Sequence, residues 1–403
     1  MNNEKTLAVK ETFDLALKIH KNNNLKDAQN YYQKVLKMDP NHLVAHYNLG
    51  VIYITLGENQ KAKSYFEKAI KINPRYTDAH KNLGIIFHDL GENQKAKSYF
   101  EKAIAINPNY ADAHNNLGVI YQDFGDFQKA KSYFEKAIAI NPKYVDAHNN
   151  LGIIFQDLGE NQKAKSCYEK AIEINPNHVN AHCNLGVTYK DLGQIQKAKS
   201  YFEKAIAINP NHVDAHNNLG IIFQDLGEYQ KAKSCYEKAI EINPKYVNAH
   251  CNLGIVFQEL GEHQKAKDCY GKVIAIDPAN INSINVLANL SALLRFDYKS
   301  KDDKTNFKKL ITSLFNEGNI KTDFFFMNAK SILLSDEEQN QLAEAINSDS
   351  LLSNKILQRL LGEELFHLLL QKSALADLFL EKLLTQLRCE ILFNLENSNK
   401  GNF

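Results

Sequence analysis

The stretch that decides the fold is 77–110, which reads TDAHKNLGIIFHDLGENQKAKSYFEKAIAINPNY. Apolar residues around Leu83 recur at helical spacing until Gly91 ends the run. A second helical pattern surrounds Phe100, with charged residues on its other side. Pro108 closes the stretch, because proline disfavours helix at the residue before it. The sequence therefore predicts two short helices joined by a tight turn.

This stretch is one of a series, since all 8 prolines of the 403-residue chain stand at one fixed spacing. A period of this length is typical of a solenoid or a propeller. Two short helices cannot bury their apolar faces alone, so each repeat must pack against its neighbours. The proline spacing divides the chain into repeats 1 to 8, which are 9–42, 43–76, 77–110, 111–144, 145–178, 179–212, 213–246 and 247–280. We expect 1–8 to be an N-terminal extension and 281–296 to be a capping helix.

Small residues recur inside the predicted helices, at Gly84, Ala96 and Ala103 and at the equivalent positions of other repeats. A glycine in mid-helix costs about 1 kcal/mol relative to alanine. Its recurrence indicates a steric requirement, in which two helix backbones approach closely.

The repeats resemble the tetratricopeptide repeat at seven consensus positions, which are Leu83, Gly84, Phe87, Ala96, Phe100, Ala103 and Pro108. The resemblance implies an all-α fold, a right-handed superhelix (α-solenoid) of about eight helix-turn-helix repeats. It also implies that the first helix of each repeat lines the concave face, where ligand peptides bind. The function implied is that of a protein–protein interaction scaffold.

Two polar columns recur on the first helices, four residues apart and therefore on one helix face. The Asn column is Asn48, Asn82, Asn116, Asn150, Asn184, Asn218 and Asn252. The first-turn column is Asp78, Asp112, Asp146, Asn180, Asp214 and Asn248. An Asn amide can hydrogen-bond the backbone of an extended peptide, and Asp can select Ser, Thr, Lys or Arg. We predict that both columns contact peptides. Under the alternative, Asn bonds neighbouring helices together and Asp favours the helix N-terminus.

The Asp-then-Asn pattern within its AHxNL context is similar to the repeats of O-linked N-acetylglucosamine transferases, in which the Asn column holds substrate peptide. The segment after the repeats resembles the connecting region of bacterial tetratricopeptide proteins that carry a methyltransferase-like domain. These resemblances imply an alternative function, a substrate-recruiting arm of a glycosyltransferase or methyltransferase whose catalytic domain is not in this chain. No glycine-rich phosphate loop and no GxSxG motif occurs, so we expect no enzyme activity, catalytic residue or cofactor of this chain.

Charge is balanced, with 48 Lys and Arg against 47 Asp and Glu, so no global field favours nucleic acid or anionic lipid. The N-terminus lacks the apolar core of a secretory signal, and no apolar run could span a bilayer. The 6 cysteines lack CxxC spacing, which favours free packing cysteines in a reducing compartment. We therefore expect a cytoplasmic protein whose partners are other proteins or peptides in an extended conformation.

A histidine stands where the family often has an aromatic residue, at His46, His80, His114, His148, His182, His216 and His250. We interpret these rings as packing residues, because repeats about 10 Å apart cannot share one metal ion. Pairs such as His178 and His182 have i,i+4 spacing, but they lack the HExxH glutamate, so we expect no metal site.

The last segment, 297–403, lacks the proline spacing of the repeats. We predict that it forms a small C-terminal helical domain, and the alternative is a truncated connector. Ser300 with Asp303 and Ser335 with Glu338 resemble helix-capping boxes. The leucine pattern from Leu375 to Leu395 favours a core helix, and self-association through these C-terminal helices is the alternative.

Overall fold

The computed structural model describes residues 2–276 together with Gln341, Lys355, Arg359 and Leu360. Every regular element within 2–276 is a helix, so the predicted all-α fold of paired helices is confirmed. The predictions for the capping helix and for the C-terminal domain lie outside the described residues. The helices are α1 (Asn2–Lys21), α2 (Leu25–Met38), α3 (Leu43–Thr55), α4 (Asn59–Ile72), α5 (Thr77–Asp89), α6 (Asn93–Ile106), α7 (Ala111–Asp123), α8 (Phe127–Ile140), α9 (Val145–Asp157), α10 (Asn161–Ile174), α11 (Val179–Asp191), α12 (Ile195–Ile208), α13 (Val213–Asp225), α14 (Tyr229–Ile242), α15 (Val247–Glu259) and α16 (His263–Ile276).

The chain divides into two compact bodies, Met1–Ala215 and His216–Phe403. Within the first body each helix packs against the next one along the chain. The first helices of successive repeats, α5, α7, α9 and α11, also contact one another in that order. Polar residues on neighbouring first helices therefore lie within reach of each other. None of the described helices combines the length and the apolar character needed to cross a bilayer.

The turn inside each repeat depends on a residue in the left-handed region. Gly91 has a φ of +74°, and the Glu92 N–H behind it donates to the Phe87 carbonyl at 2.8 Å. This bond satisfies one of the carbonyls that the end of α5 would otherwise leave unpaired. In the first repeat Asn23 takes this conformation, with a φ of 59°. Asparagine tolerates it better than most residues do.

The turn between repeats is held by the residue that precedes the proline, which is Asp39 before Pro40 and an asparagine before the next six prolines. The Asn107 N–H donates to the Ala103 carbonyl at 2.9 Å and ends α6. The Asn107 Oδ1 accepts from the Asn109 N–H at 3.1 Å, which forms an Asx turn. The next first helix begins at once, at Ala111. The Asn-Pro pair therefore fixes the spacing between repeats as well as the end of the helix.

The glycine inside the first helices of repeats 2 to 8 faces a buried ring. A Cβ on Gly84 would lie 2.5 Å from Cε1 of Phe100, whose side chain is 1% exposed. The same arrangement joins Gly118 to Phe134, and Gly152 to Tyr168. The close helix approach predicted from the recurring glycine is confirmed, and the neighbour that requires it is the ring of the second helix.

Candidate functional site

The Asn column lies at the contact between first helices, and its amides bond across that contact. Asn82 on α5 is buried, and its Nδ2 donates to the Tyr47 hydroxyl on α3 at 3.3 Å. Asn48 on α3 donates instead to the Tyr32 hydroxyl on α2, the second helix of the preceding repeat, at 3.1 Å. The structural role that the sequence left open is therefore present in both residues.

A continuous chain of amide hydrogen bonds links α7, α9 and α11. The Asn150 Nδ2 donates to the Asn115 Oδ1 at 3.1 Å, and the Asn184 Nδ2 donates to the Asn149 Oδ1 at 3.1 Å. The Asn149 Nδ2 approaches the Asn150 Oδ1 at 3.5 Å and connects the two bonds. In the second body the Asn252 Nδ2 donates to the Asn217 Oδ1 at 3.0 Å.

The acceptors in these bonds stand one position before the Asn column in the preceding repeat, and the sequence analysis did not select them. In the sequence, each acceptor stands 35 residues before its donor, which is one repeat and one residue. Asn116 differs because Lys81, which has no acceptor in its side chain, stands at that offset. Among the described residues, the half-buried Asn116 side chain has no hydrogen-bond partner.

Residues of the first-turn column also form hydrogen bonds. The partner is the side chain of the residue that immediately precedes the next first helix. The Tyr110 hydroxyl donates to the Asp78 Oδ1 at 2.5 Å. The His178 Nε2 lies 3.2 Å from the Asp146 Oδ1, and the His212 Nε2 lies 3.0 Å from the Asn180 Oδ1.

These contacts have electrostatic consequences. Burial, and after it the hydrogen bond to Asp78, raises the pKa of the Tyr110 hydroxyl above its usual value, so it stays a donor. Burial and the Asp112 carboxylate raise the pKa of Tyr144 in the same way. The hydrogen bond from His178 lowers the pKa of Asp146. Asp146 is therefore charged at neutral pH while it bonds the residue before the next first helix.

The remaining predicted site residues are also at the surface of the first helices. Asp214 on α13 and Asn248 on α15 are exposed, and Asn218 on α13 is half-buried. Of the two predicted columns, Asn48 and Asn82 are buried, and the other residues are half-buried or exposed.

Family comparisons agree with this geometry. Models described as tetratricopeptide repeat match residues 20–42, 44–76, 76–143, 144–211, 213–246 and 247–280, which together exceed half of the chain. The chain belongs to the tetratricopeptide repeat family. No curated protein sequence matches it.

The chain is similar to several solved structures. The APC/C hetero-tetramer Cut9–Hcn1 matches with a TM-score of 0.57 and 18% identity, over 69% of this chain and 54% of that chain. PilF of Pseudomonas aeruginosa matches with a TM-score of 0.47 and 21% identity, over 53% of this chain and 96% of that chain. YrrB, titled a TPR protein with an unusual peptide-binding site, matches with a TM-score of 0.37 and 27% identity, over 46% of this chain and 95% of that chain.

The histidine that replaces the common aromatic residue of tetratricopeptide repeats has a specific partner. The His80 Nε2 lies 2.9 Å from the Pro74 carbonyl, and the His182 Nε2 lies 2.8 Å from the Pro176 carbonyl. Both rings are buried. A neutral imidazole donates through Nε2 here, so the histidine ties the start of the first helix to the preceding turn. His178, which the sequence paired with His182 as a metal candidate, uses its Nδ1 to accept from the Ala181 N–H at 3.1 Å.

Lysines of the second helices contact aromatic rings as well as acids. The Phe87 ring lies between Lys63, at 4.9 Å from the centroid, and Lys95, at 5.4 Å. Lys95 also pairs with Glu92. Cation–π contacts of this kind contribute about 0.5–1 kcal/mol at exposed sites. Lys63 and Lys95 are therefore engaged by rings and carboxylates of this chain.

The described cysteines of the repeats are free, as predicted, and are Cys167, Cys183, Cys235, Cys251 and Cys269. Burial raises the pKa of Cys167 and of Cys251 to about 11. A thiol with a raised pKa stays protonated at neutral pH and is a poor nucleophile.

The bond between Tyr110 and Asp78 provides a test of the structural role of the first-turn column. We expect Tyr110→Phe and Asp78→Ala each to lower the free energy of unfolding by about 1 kcal/mol, because each removes a part-buried hydrogen bond. The double variant should lose less than the sum, with a coupling of at least about 0.5 kcal/mol. Urea titration of the four proteins measures this coupling, and additive losses would show that the bond adds nothing to stability.

Proposed function

We propose that this chain binds extended segments of partner proteins along the Asn column. The observation that carries the proposal is the set of interlocked amides on α7, α9 and α11, in which the half-buried Asn150 and Asn184 donate to the buried Asn115 and Asn149. An Asn amide has two N–H donors and one acceptor oxygen, and the bonds between helices use only part of that capacity. The amides are therefore held in place with donors and acceptors to spare.

Side-chain amides whose rotamers are fixed before a ligand arrives favour ligand binding. Ordering a free side chain at an interface costs about 0.5–1.5 kcal/mol, and this cost is reduced when a neighbour already fixes the rotamer. Asn150 is fixed by Asn115, and Asn184 by Asn149. A column of fixed amides supports recognition of peptide backbone, which every sequence shares.

Two further features of the same face complement an extended peptide. Half-buried aliphatic residues, Ile85, Val119 and Ile153, stand three positions after the Asn column and so share its face. Exposed carboxylates, Asp89 and Asp123, stand near the other end of the first helices. The aliphatic residues support contacts with apolar side chains, and the carboxylates favour lysine and arginine. We therefore propose that preferred segments mix apolar and basic residues.

Asn116 is the residue on which the proposal can be tested cleanly, because it has no partner in the described structure to lose. We expect Asn116→Ala to weaken peptide binding about fivefold, the loss of one hydrogen bond of about 1 kcal/mol, with no change in the free energy of unfolding. The measurement is fluorescence anisotropy with a panel of unstructured 15-residue peptides of basic, neutral and acidic composition, beside urea titration of each protein.

Asn82→Ala is the matched control, since it breaks the buried bond to Tyr47. It should lower the free energy of unfolding by about 1–2 kcal/mol. If the triple variant of Asn116, Asn150 and Asn184 to Ala binds the panel as tightly as the native chain while still folded, the Asn column is structural only.

A further inference from the structure

One position of the second helix differs in kind between repeats. It is a tyrosine in repeats 1, 2, 3, 4 and 6, at Tyr31, Tyr65, Tyr99, Tyr133 and Tyr201, and a cysteine in repeats 5, 7 and 8, at Cys167, Cys235 and Cys269. In repeat 4 the Tyr133 ring stacks on Tyr121, with centroids 5.3 Å apart and planes 6° from parallel. The His114 ring lies 6.0 Å away, and the Lys136 ammonium lies 5.0 Å from the Tyr133 centroid. The tyrosine is thus surrounded by a ring, an imidazole and a cation.

Repeat 5 keeps these walls but lacks the tyrosine ring. His148, Phe155 and Lys170 stand at the positions of His114, Tyr121 and Lys136. Beside Cys167 there is a cavity of about 490 Å³, whose lining includes Ile138, His148, Leu151, Cys167, Lys170 and Glu173 but not Phe155. We call this cavity the Cys167 slot.

One contact near Cys167 differs from its counterpart in repeat 4. The Lys170 ammonium bonds both oxygens of Glu173 at 2.9 Å, whereas repeat 4 has Ala139 at that position and its lysine lies over the tyrosine. The cation that would cover a ring is therefore held at the mouth of the slot by a carboxylate.

We propose that the Cys167 slot binds the phenol side chain of a tyrosine from a partner polypeptide, in the place where repeat 4 holds its own Tyr133. The floor of Ile138 and Leu151 is apolar, and the mouth, formed by Ser166, Glu169, Lys170 and Glu173, is exposed and polar. An aromatic ring with a polar tip matches that gradient better than phenylalanine does. The volume lies within the range of about 300–1,000 Å³ of ligand sites, which leaves room for the backbone around the ring.

This site is separate from the proposed peptide column, because it is built mainly from α10 together with the buried side of α9. The Cys167 thiol serves as an uncharged wall, since its raised pKa of about 11 keeps it protonated. A filled slot would give the scaffold a tyrosine-selective contact that the backbone-reading Asn column lacks.

N-acetyl-tyrosine amide is the probe that tests the slot, with binding followed by NMR at the His148 and Leu151 signals. We expect saturable shifts at these signals in the native chain. Cys167→Tyr should weaken the binding at least tenfold, because it fills the slot from within as in repeat 4. Cys167→Ser should bind as the native chain does, since it keeps the slot open.

Tyr133→Cys is the converse variant and should create a second slot, with new shifts at His114. Asn116→Ala should leave all of these shifts unchanged, which separates this site from the peptide column. Absence of shifts at His148 in the native chain, or equal shifts in Cys167→Tyr, would overturn the proposal. Equal binding of N-acetyl-phenylalanine amide, or binding of p-cresol without binding of the tyrosine amide, would overturn the assignment of a polypeptide tyrosine.

Discussion

Gly84→Ala is expected to lower the free energy of unfolding by about 2 kcal/mol, although alanine is the better helix former. A Cβ at this position would lie 2.5, 2.7 and 2.8 Å from three atoms of the Phe100 ring. The ring is fully enclosed and cannot move aside freely. Overpacking of this kind costs about 1–3 kcal/mol or more, which outweighs the gain of about 1 kcal/mol in helix propensity.

Gly271→Ala is the matched control, because Gly271 lies on the exposed face of α16 and its Cβ would meet no atom within 4 Å. It should raise the free energy of unfolding by about 1 kcal/mol. Urea titration measures both variants. The double variant Gly84→Ala with Phe100→Leu should recover part of the loss, because the smaller side chain makes room. A Gly84→Ala protein as stable as the native chain would contradict the packing described for every repeat.

Acidification from pH 7.5 to pH 5.5 is expected to destabilise the fold through buried neutral histidines. Burial lowers the pKa of His46 and His182 below the ordinary value of 6.5, and it lowers that of His20 as well. The unfolded chain binds protons at these residues first, so stability is fully present above pH 6.5 and is lost as the pH falls toward the folded pKa. Each histidine contributes a slope of up to about 1.4 kcal/mol per pH unit in that window.

The measurement is the free energy of unfolding against pH for the native chain and for the double variant His46→Phe with His182→Phe. Phenylalanine keeps an aromatic ring beside Tyr65 and Tyr201, where the histidines now lie. We expect the variant to be less stable at pH 7.5, because the hydrogen bonds to Pro40 and Pro176 are lost. Its slope between pH 7.5 and 5.5 should be shallower. Equal slopes in the two proteins would show that these histidines do not titrate on unfolding.

The sequence was sufficient for the repeats, because the signals that define them are local. Pro108 ends a helix wherever it stands, and Gly91 permits the left-handed turn. Gly84 indicated close helix packing, because a glycine in mid-helix lowers helix stability. Its recurrence is explained when a neighbouring helix leaves no room for a Cβ. Because the proline spacing is constant, the helix pair identified in 77–110 predicts the position of every other pair.

The partners of the candidate site residues could not be predicted in the same way. The bond from Asn150 to Asn115 depends on how far successive first helices are offset along their axes, and the period carries no information on that offset. The bond from Tyr110 to Asp78 depends on the same offset. The sequence therefore indicated which faces are polar, but not that the polar residues bond to each other before any ligand arrives.

The Cys167 slot could be predicted from the sequence only in part. The change from tyrosine to cysteine is visible in the sequence, and it supports the interpretation of a packing cysteine. Only the rings and the cation around Tyr133 show what the cysteine leaves open. The cysteine that replaces the tyrosine in repeat 5 thus also lines a cavity.

The central claim is that the Asn column contacts the backbone of an extended partner segment, and side-chain amide NMR tests it most directly. A peptide that binds in the anisotropy panel is added to the isotopically labelled chain. We predict saturable shifts of the Asn116, Asn150 and Asn184 side-chain NH2 signals, with the turn residues Asn107 and Asn141 unchanged. Shifts confined to the second helices, with the three column amides unmoved at saturation, would contradict the claim.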